Sequence, residues 1–110
     1  MGKDAPDLLP GTLEMITLRA LLNGPMHGYG IAQRVKTVSR DVLHIGESSL
    51  YPALQRLLLE GYVRAEWGAS ENNRRARFYE LTSAGRKQLD TERAAWERFS
   101  NALGLILSAD

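Results

Sequence analysis

The sequence predicts an α+β chain, mainly α: a winged helix-turn-helix of three helices and a β-hairpin wing, followed by a C-terminal dimerisation helix. Three observations predict it. The stretch Leu50 to Val63 reads as a helix that closes at Gly61 and turns straight into a strand. A hairpin loaded with arginine comes next. Leu81-Thr82-Ser83-Ala84-Gly85 then opens a last helix whose apolar residues recur at helical spacing.

Each element can be justified in turn. Residues 1–8 are polar and contain Pro6, and are expected to form a flexible arm. The winged domain is expected over residues 9–82 and the dimerisation helix over 83–110. The first helix should start near Pro10-Gly11-Thr12, with Pro10 or Thr12 near the cap. Leu13, Ile16, Leu18, Leu21 and Leu22 are spaced for a helix, which Asn23-Gly24-Pro25 stops. A second helix spans about 29–39, with Ile31, Val35 and Val38 on one face.

Gly46-Glu47-Ser48-Ser49 opens the third helix. Pro52 has no amide donor and clashes with the carbonyl four residues back, so the helix must begin shortly before it. Ser48 or Ser49 is the expected cap, or Gly46 with some local distortion. Leu50, Leu54, Leu57 and Leu58 form its buried stripe. Residues 62–67 alternate Tyr/Val with Arg/Glu as a strand, 68–73 are rich in turn formers, and 75–81 return. The last helix should run to about Leu107.

Composition narrows the function classes. The 110 residues suit one domain with an extra helix, and the 44% apolar and 25% charged fractions are those of a globular chain. A net charge of +1 does not announce a nucleic-acid partner, but the distribution is uneven. Arg74, Arg75 and Arg77 cluster in the wing, while Asp90, Glu92 and Glu97 lie in the last helix. With no cysteine there are no disulfides and no thiolate metal sites, which fits a reducing compartment. No segment resembles a secretion signal, and the longest apolar runs fall far short of the ~20 residues that span a bilayer. A soluble cytoplasmic protein without membrane contact is expected.

A helix that enters a major groove reads base edges with residues near its N-terminal end. Ser48, Ser49, Tyr51, Gln55 and Arg56 are the polar candidates on the third helix. Arginines on a hairpin contact phosphates or enter a minor groove, so Arg74, Arg75 and Arg77 are the candidate clamp. Strand alternation leaves the direction of Arg77 open. Lys36 on the second helix, and Tyr29 in His27-Gly28-Tyr29-Gly30 before it, are further candidates for the DNA backbone; a core tyrosine in a tight turn explains Tyr29 equally well. His27 and His44 have no carboxylate arrangement suggesting a metal site or catalytic pair, and read as structural.

On the last helix Leu89, Trp96, Phe99, Leu103 and Ile106 form an apolar stripe, interrupted by Glu92. A stripe outside an already complete winged domain needs a partner, and a second copy of the same helix supplies one. Packing onto the chain's own first helix is the alternative.

Leu9-Pro10-Gly11-Thr12-Leu13-Glu14 and Gly24-Pro25-Met26-His27-Gly28-Tyr29-Gly30-Ile31 resemble the opening of PadR-like transcriptional regulators. The match continues through Ser49-Leu50-Tyr51-Pro52-Ala53-Leu54-Gln55-Arg56-Leu57, Glu60-Gly61-Tyr62-Val63 and Trp67. It ends with Arg77-Phe78-Tyr79-Glu80-Leu81-Thr82-Ser83-Ala84-Gly85, so it covers about residues 8 to 100. The resemblance implies a homodimeric repressor on a roughly palindromic operator, of the short branch with one C-terminal helix. It implies Ser49 and Tyr51 at the recognition tip, Tyr29 at the second helix and the three arginines in the wing. Some similar regulators line a cavity at the dimer centre with a tryptophan on this helix, where flat aromatic or drug-like molecules bind; Trp96 stands at the equivalent position. Gly46 and Glu47 depart from the family pattern, where a hydroxyl cap and a small residue or proline are common.

The expected function is therefore an effector-responsive, DNA-binding transcriptional regulator with no catalytic activity and no cofactor. A winged-helix module that binds proteins rather than DNA is the alternative. An enzyme is disfavoured by the lack of paired carboxylates in a defined motif and of a glycine-rich phosphate loop.

Overall fold

The computed structural model describes residues 11–110. The expected arm and Pro10 lie outside them. The order is α1 (Thr12–Ala20), β1 (Met26–His27), α2 (Gly28–Val38), α3 (Glu47–Leu59), β2 (Val63–Ala69), β3 (Arg75–Leu81) and α4 (Ser83–Ser108). The three helices, wing and C-terminal helix are those expected. The two-residue β1 is an addition. It pairs antiparallel with β3, Met26 opposite Tyr79 and His27 opposite Phe78, giving a sheet ordered β1-β3-β2.

α1 ends at Ala20, and Leu21 and Leu22 continue in tighter turns bonded to the carbonyls of Leu18 and Arg19. α3 is capped by Gly46, without a side-chain bond. Ser48 and Ser49 are thus first-turn residues rather than caps. Starting the helix at Glu47 leaves Pro52 well inside, at the expense of the bond a residue there would donate to the Ser48 carbonyl. At the other end the Tyr62 amide reaches the Leu57 carbonyl at 2.9 Å and Gly61 reaches Leu58 at 3.1 Å. This closing motif needs the left-handed φ of 78° that Gly61 supplies.

Leu18, Leu21, Ile31, Leu50, Leu54 and Leu57 fill the core between the helices, over Val63, Tyr79 and Leu81 at the base of the sheet. Leu58 is only half-buried against the core, and Val38 is exposed although its spacing places it on one face with the buried Ile31 and Val35. Leu89 requires a correction. It is 1% exposed and packs in this core, so it cannot face a second copy. The stripe of α4 is interrupted at Glu92, between buried Leu89 and exposed Trp96, but spacing alone does not say which side of that break meets the core.

The first turns of α4 are fastened to the head. The Thr82 hydroxyl donates to the Gly61 carbonyl at 2.6 Å and accepts from the Gly85 amide at 3.1 Å, capping the helix. Beyond Leu89 the helix presents Trp96, Phe99, Leu103 and Ile106 as exposed apolar side chains. No helix among the described residues is long and apolar enough to cross a membrane.

Candidate nucleic-acid interface

The residue alternation of β2 and β3 decides what the wing presents. Val63 pairs with Leu81, Ala65 with Tyr79, Trp67 with Arg77 and Ala69 with Arg75. Paired residues share a face, so the face that closes the core at its base carries Trp67, Arg75 and Arg77 further out. Arg77 therefore points the same way as Arg75, which answers the question left open by the sequence. The opposite face carries Arg64 and Glu80, bonded to each other at 3.1 Å. At the tip, the Ser70 amide reaches the Arg74 carbonyl at 2.8 Å and Asn73 takes a left-handed φ of 57°.

This wing face and the N-terminal ends of α2 and α3 enclose a cleft of about 690 Å³. Tyr29, Tyr51, Arg74, Arg75 and Arg77 all line it. The Arg75 guanidinium lies 4.5 Å from the centre of the Trp67 ring, and that of Arg77 5.9 Å from the Tyr79 ring. Stacking leaves the guanidinium edges free to donate and restricts the side chains beforehand.

The two tyrosines differ. Tyr29 is 66% exposed, and its oxygen accepts from Gln33 Nε2 at 2.8 Å, which leaves the hydroxyl proton to point outward. Tyr51 lies against the first turn of α2, so close that a methyl on Gly28 would come within 2.6 Å of its hydroxyl oxygen. Burial, with Glu47 and Tyr79 nearby, raises its pKa above the ordinary 10.0. It is a neutral hydroxyl donor throughout the physiological range.

The remaining candidates fall elsewhere. Ser48, Ser49 and Gln55 are exposed on α3 but outside the cleft, and Lys36 is exposed in the last turn of α2. Arg56 is not a free cation. Its Nε donates to Glu14 Oε2 of α1 at 2.7 Å, tying α3 to α1.

Two cleft residues were not legible as functional. Trp67 becomes a platform only once the hairpin register sets it beside Arg75; its alternation with Arg64 and Glu66 was the available signal. His27, read as structural, caps α2 by accepting from the Gly30 amide at 3.0 Å, yet it also lines the cleft.

On α4, Trp96 and Phe99 form a tilted ring pair with centres 5.9 Å apart. Leu89, Met15, Ile16, Val35 and Val38 line a groove of about 410 Å³ between α1, α2 and α4, rimmed by Arg19, Arg34 and Arg93.

Comparison with known proteins gives this architecture its place. The model of the transcriptional regulator PadR-like family matches residues 17–91. The chain belongs to this family. PadR-like proteins are transcriptional regulators, not enzymes. An uncharacterized protein X of Lysinibacillus sphaericus is 27% identical over 101 residues, covering 92% of this PadR-like chain and 93% of that protein. The structure of a transcriptional regulator from Clostridium thermocellum superposes with a TM-score of 0.78 at 28% identity, over 86% of this chain and 91% of the other. Bacillus subtilis PadR in complex with operator DNA gives a TM-score of 0.65 at 25% identity, over 74% of this chain but 46% of that longer one.

Proposed function

We propose that this PadR-like regulator is a sequence-specific, homodimeric repressor that binds a palindromic operator in the cytoplasm and responds to a small aromatic effector. The observation that carries the reading is the convergence of Tyr29, Tyr51, Arg74, Arg75 and Arg77 on one cleft beside the N-terminal end of α3. α3 enters the major groove, where Ser48, Ser49 and Gln55 read base edges. The wing arginines and the two tyrosine hydroxyls hold flanking phosphates and fix the angle of entry. The operator complex of the Bacillus subtilis relative supports DNA as the partner.

The exposed stripe Trp96, Phe99, Leu103 and Ile106 supports dimerisation, since water-exposed apolar surface of this extent favours burial against a second copy. The groove beside Leu89 adds apolar surface continuous with that helix. The Trp96–Phe99 pair provides flat apolar rings on which an aromatic effector stacks. Such a ligand acts by changing the angle between the two heads, so that both recognition helices no longer fit successive major grooves.

Selection of bound fragments from random DNA tests the reading directly. The expected result is an enriched inverted repeat with half-sites about 10 base pairs apart, or a multiple of that spacing. Arg75→Ala with Arg77→Ala should weaken binding to every duplex and lower the salt slope by about 2, one unit for each phosphate contact removed. Enrichment of no sequence at moderate salt would reject the regulator as a specific DNA reader. Leu103→Asp should shift the protein to monomer by sedimentation, and an unchanged mass would reject α4 as the dimer element.

A further inference from the structure

Within a cleft of arginines and aromatic rings, one acidic side chain stands out. Glu71, in the turn of the wing, lines the same cleft as Arg74, Arg75 and Arg77. Its Oε1 lies 3.5 Å from His27 Nε2. The other ring nitrogen of His27, Nδ1, accepts from the Gly30 amide, so the proton of the neutral imidazole sits on Nε2 and is aimed at Glu71. The histidine ring is held from a second side by the edge of Phe78, 5.3 Å between centres. The donor is thus fixed in place, whereas the carboxylate is 77% exposed and held besides only by its own backbone amide.

We propose that Glu71 is a built-in stand-in for a DNA phosphate, and that His27 Nε2–H is a phosphate donor that Glu71 masks until DNA displaces it. The inference rests on the DNA-binding reading above. Both a carboxylate and a phosphodiester offer an anionic oxygen to the same N–H, and the three arginines attract either. In the free protein the carboxylate satisfies the donor and partly neutralises the wing. Random DNA must displace it or suffer its repulsion, which holds down binding to any sequence. An operator compensates with base contacts made by α3.

The test measures affinity for a mixed-sequence duplex of about 30 base pairs, roughly three helical turns, by fluorescence anisotropy at several salt concentrations. Glu71→Gln should tighten binding about three- to tenfold at low salt, with the gain shrinking as salt screens the exposed charge. Glu66→Gln removes an equal charge from the other face of the wing, and should change affinity much less. His27→Asn keeps a good helix cap but is too short to hold Glu71 or to reach a phosphate in its place. Combined with Glu71→Gln, it should cancel the part of the gain that comes from the freed His27 donor and leave only the relief of repulsion. The proposal is overturned if Glu71→Gln binds no tighter than Glu66→Gln, or if its gain persists in full when combined with His27→Asn. If wild type binds the duplex but the two glutamine variants coincide, the masking idea fails alone. If none of the proteins binds at any salt, the DNA reading fails with it.

Discussion

Gly85→Ala tests how the head is joined to α4. An added methyl would overlap the Tyr62 carbonyl oxygen and stand 3.1 Å from Leu81 Cδ2. The carbonyl cannot simply move aside, because it also accepts from the Thr82 amide at 3.1 Å. Overpacking of this kind costs about 1–3 kcal/mol, and losing the bond adds about 1 kcal/mol. The better helix propensity of alanine returns up to about 1 kcal/mol. The net loss is about 1–3 kcal/mol, and a chain of this size should melt roughly 5–15 °C lower. Gly104→Ala, on the same helix with nothing within 4 Å of the new methyl, is the control and should not lower the melting temperature. Circular dichroism melts at one protein concentration make the comparison, since self-association contributes to apparent stability. A Gly85→Ala protein that melts with or above wild type would refute the claim that close backbone contact sets this joint.

Gly28→Ala should do the reverse, sparing stability while weakening function. Its methyl meets the Tyr51 ring at 2.6–2.9 Å, and that ring can swing out by about an ångström, so melting should move by only a few degrees while affinity for duplex DNA falls about tenfold. Arg56→Ala removes a half-exposed ion pair to Glu14 and should cost at most about 1 kcal/mol, with DNA affinity nearly unchanged; a loss as large as that of Arg75→Ala would return Arg56 to the DNA face. Tyr51 sets a pH dependence of known sign. Its folded pKa is raised, so its contribution to stability is fully present below the unfolded value of 10.0 and declines as pH rises through the folded pKa. In phenolate absorbance, the component missing from Tyr51→Phe should titrate above 10.0; a missing component at or below 10.0 would contradict it.

What the sequence made legible depended on how local the signal was. Gly61 after a leucine-rich helix acts within a few residues and placed the end of α3 correctly, whereas the loop expected from residue 68 begins later, because Gly68 and Ala69 pair with Ala76 and Arg75 in the hairpin. The strand β1 is two residues long and exists only because β3 passes beside it, so no local pattern announces it. Leu89 was assigned to the exposed stripe because periodicity records which face a residue occupies, not what that face meets. The cleft was half legible. The arginines were visible as a cluster, but the orientation of Arg77 and the platform under Arg75 both follow from hairpin register. Arg56 lay on the right helix, but its ion pair was not legible, since its carboxylate partner is 42 residues away in the chain.

The chain has two tryptophans, and each stands on a different surface. Trp67 lies under Arg75 in the cleft, and Trp96 lies beside Phe99 on α4. Each surface therefore carries its own intrinsic fluorophore, and replacing either with phenylalanine leaves the other as a single reporter. Emission from Trp67 would follow events at the wing, while emission from Trp96 would follow events along the helix. Communication between the two surfaces thus becomes an optical question, answerable by adding a ligand at one and watching the light from the other.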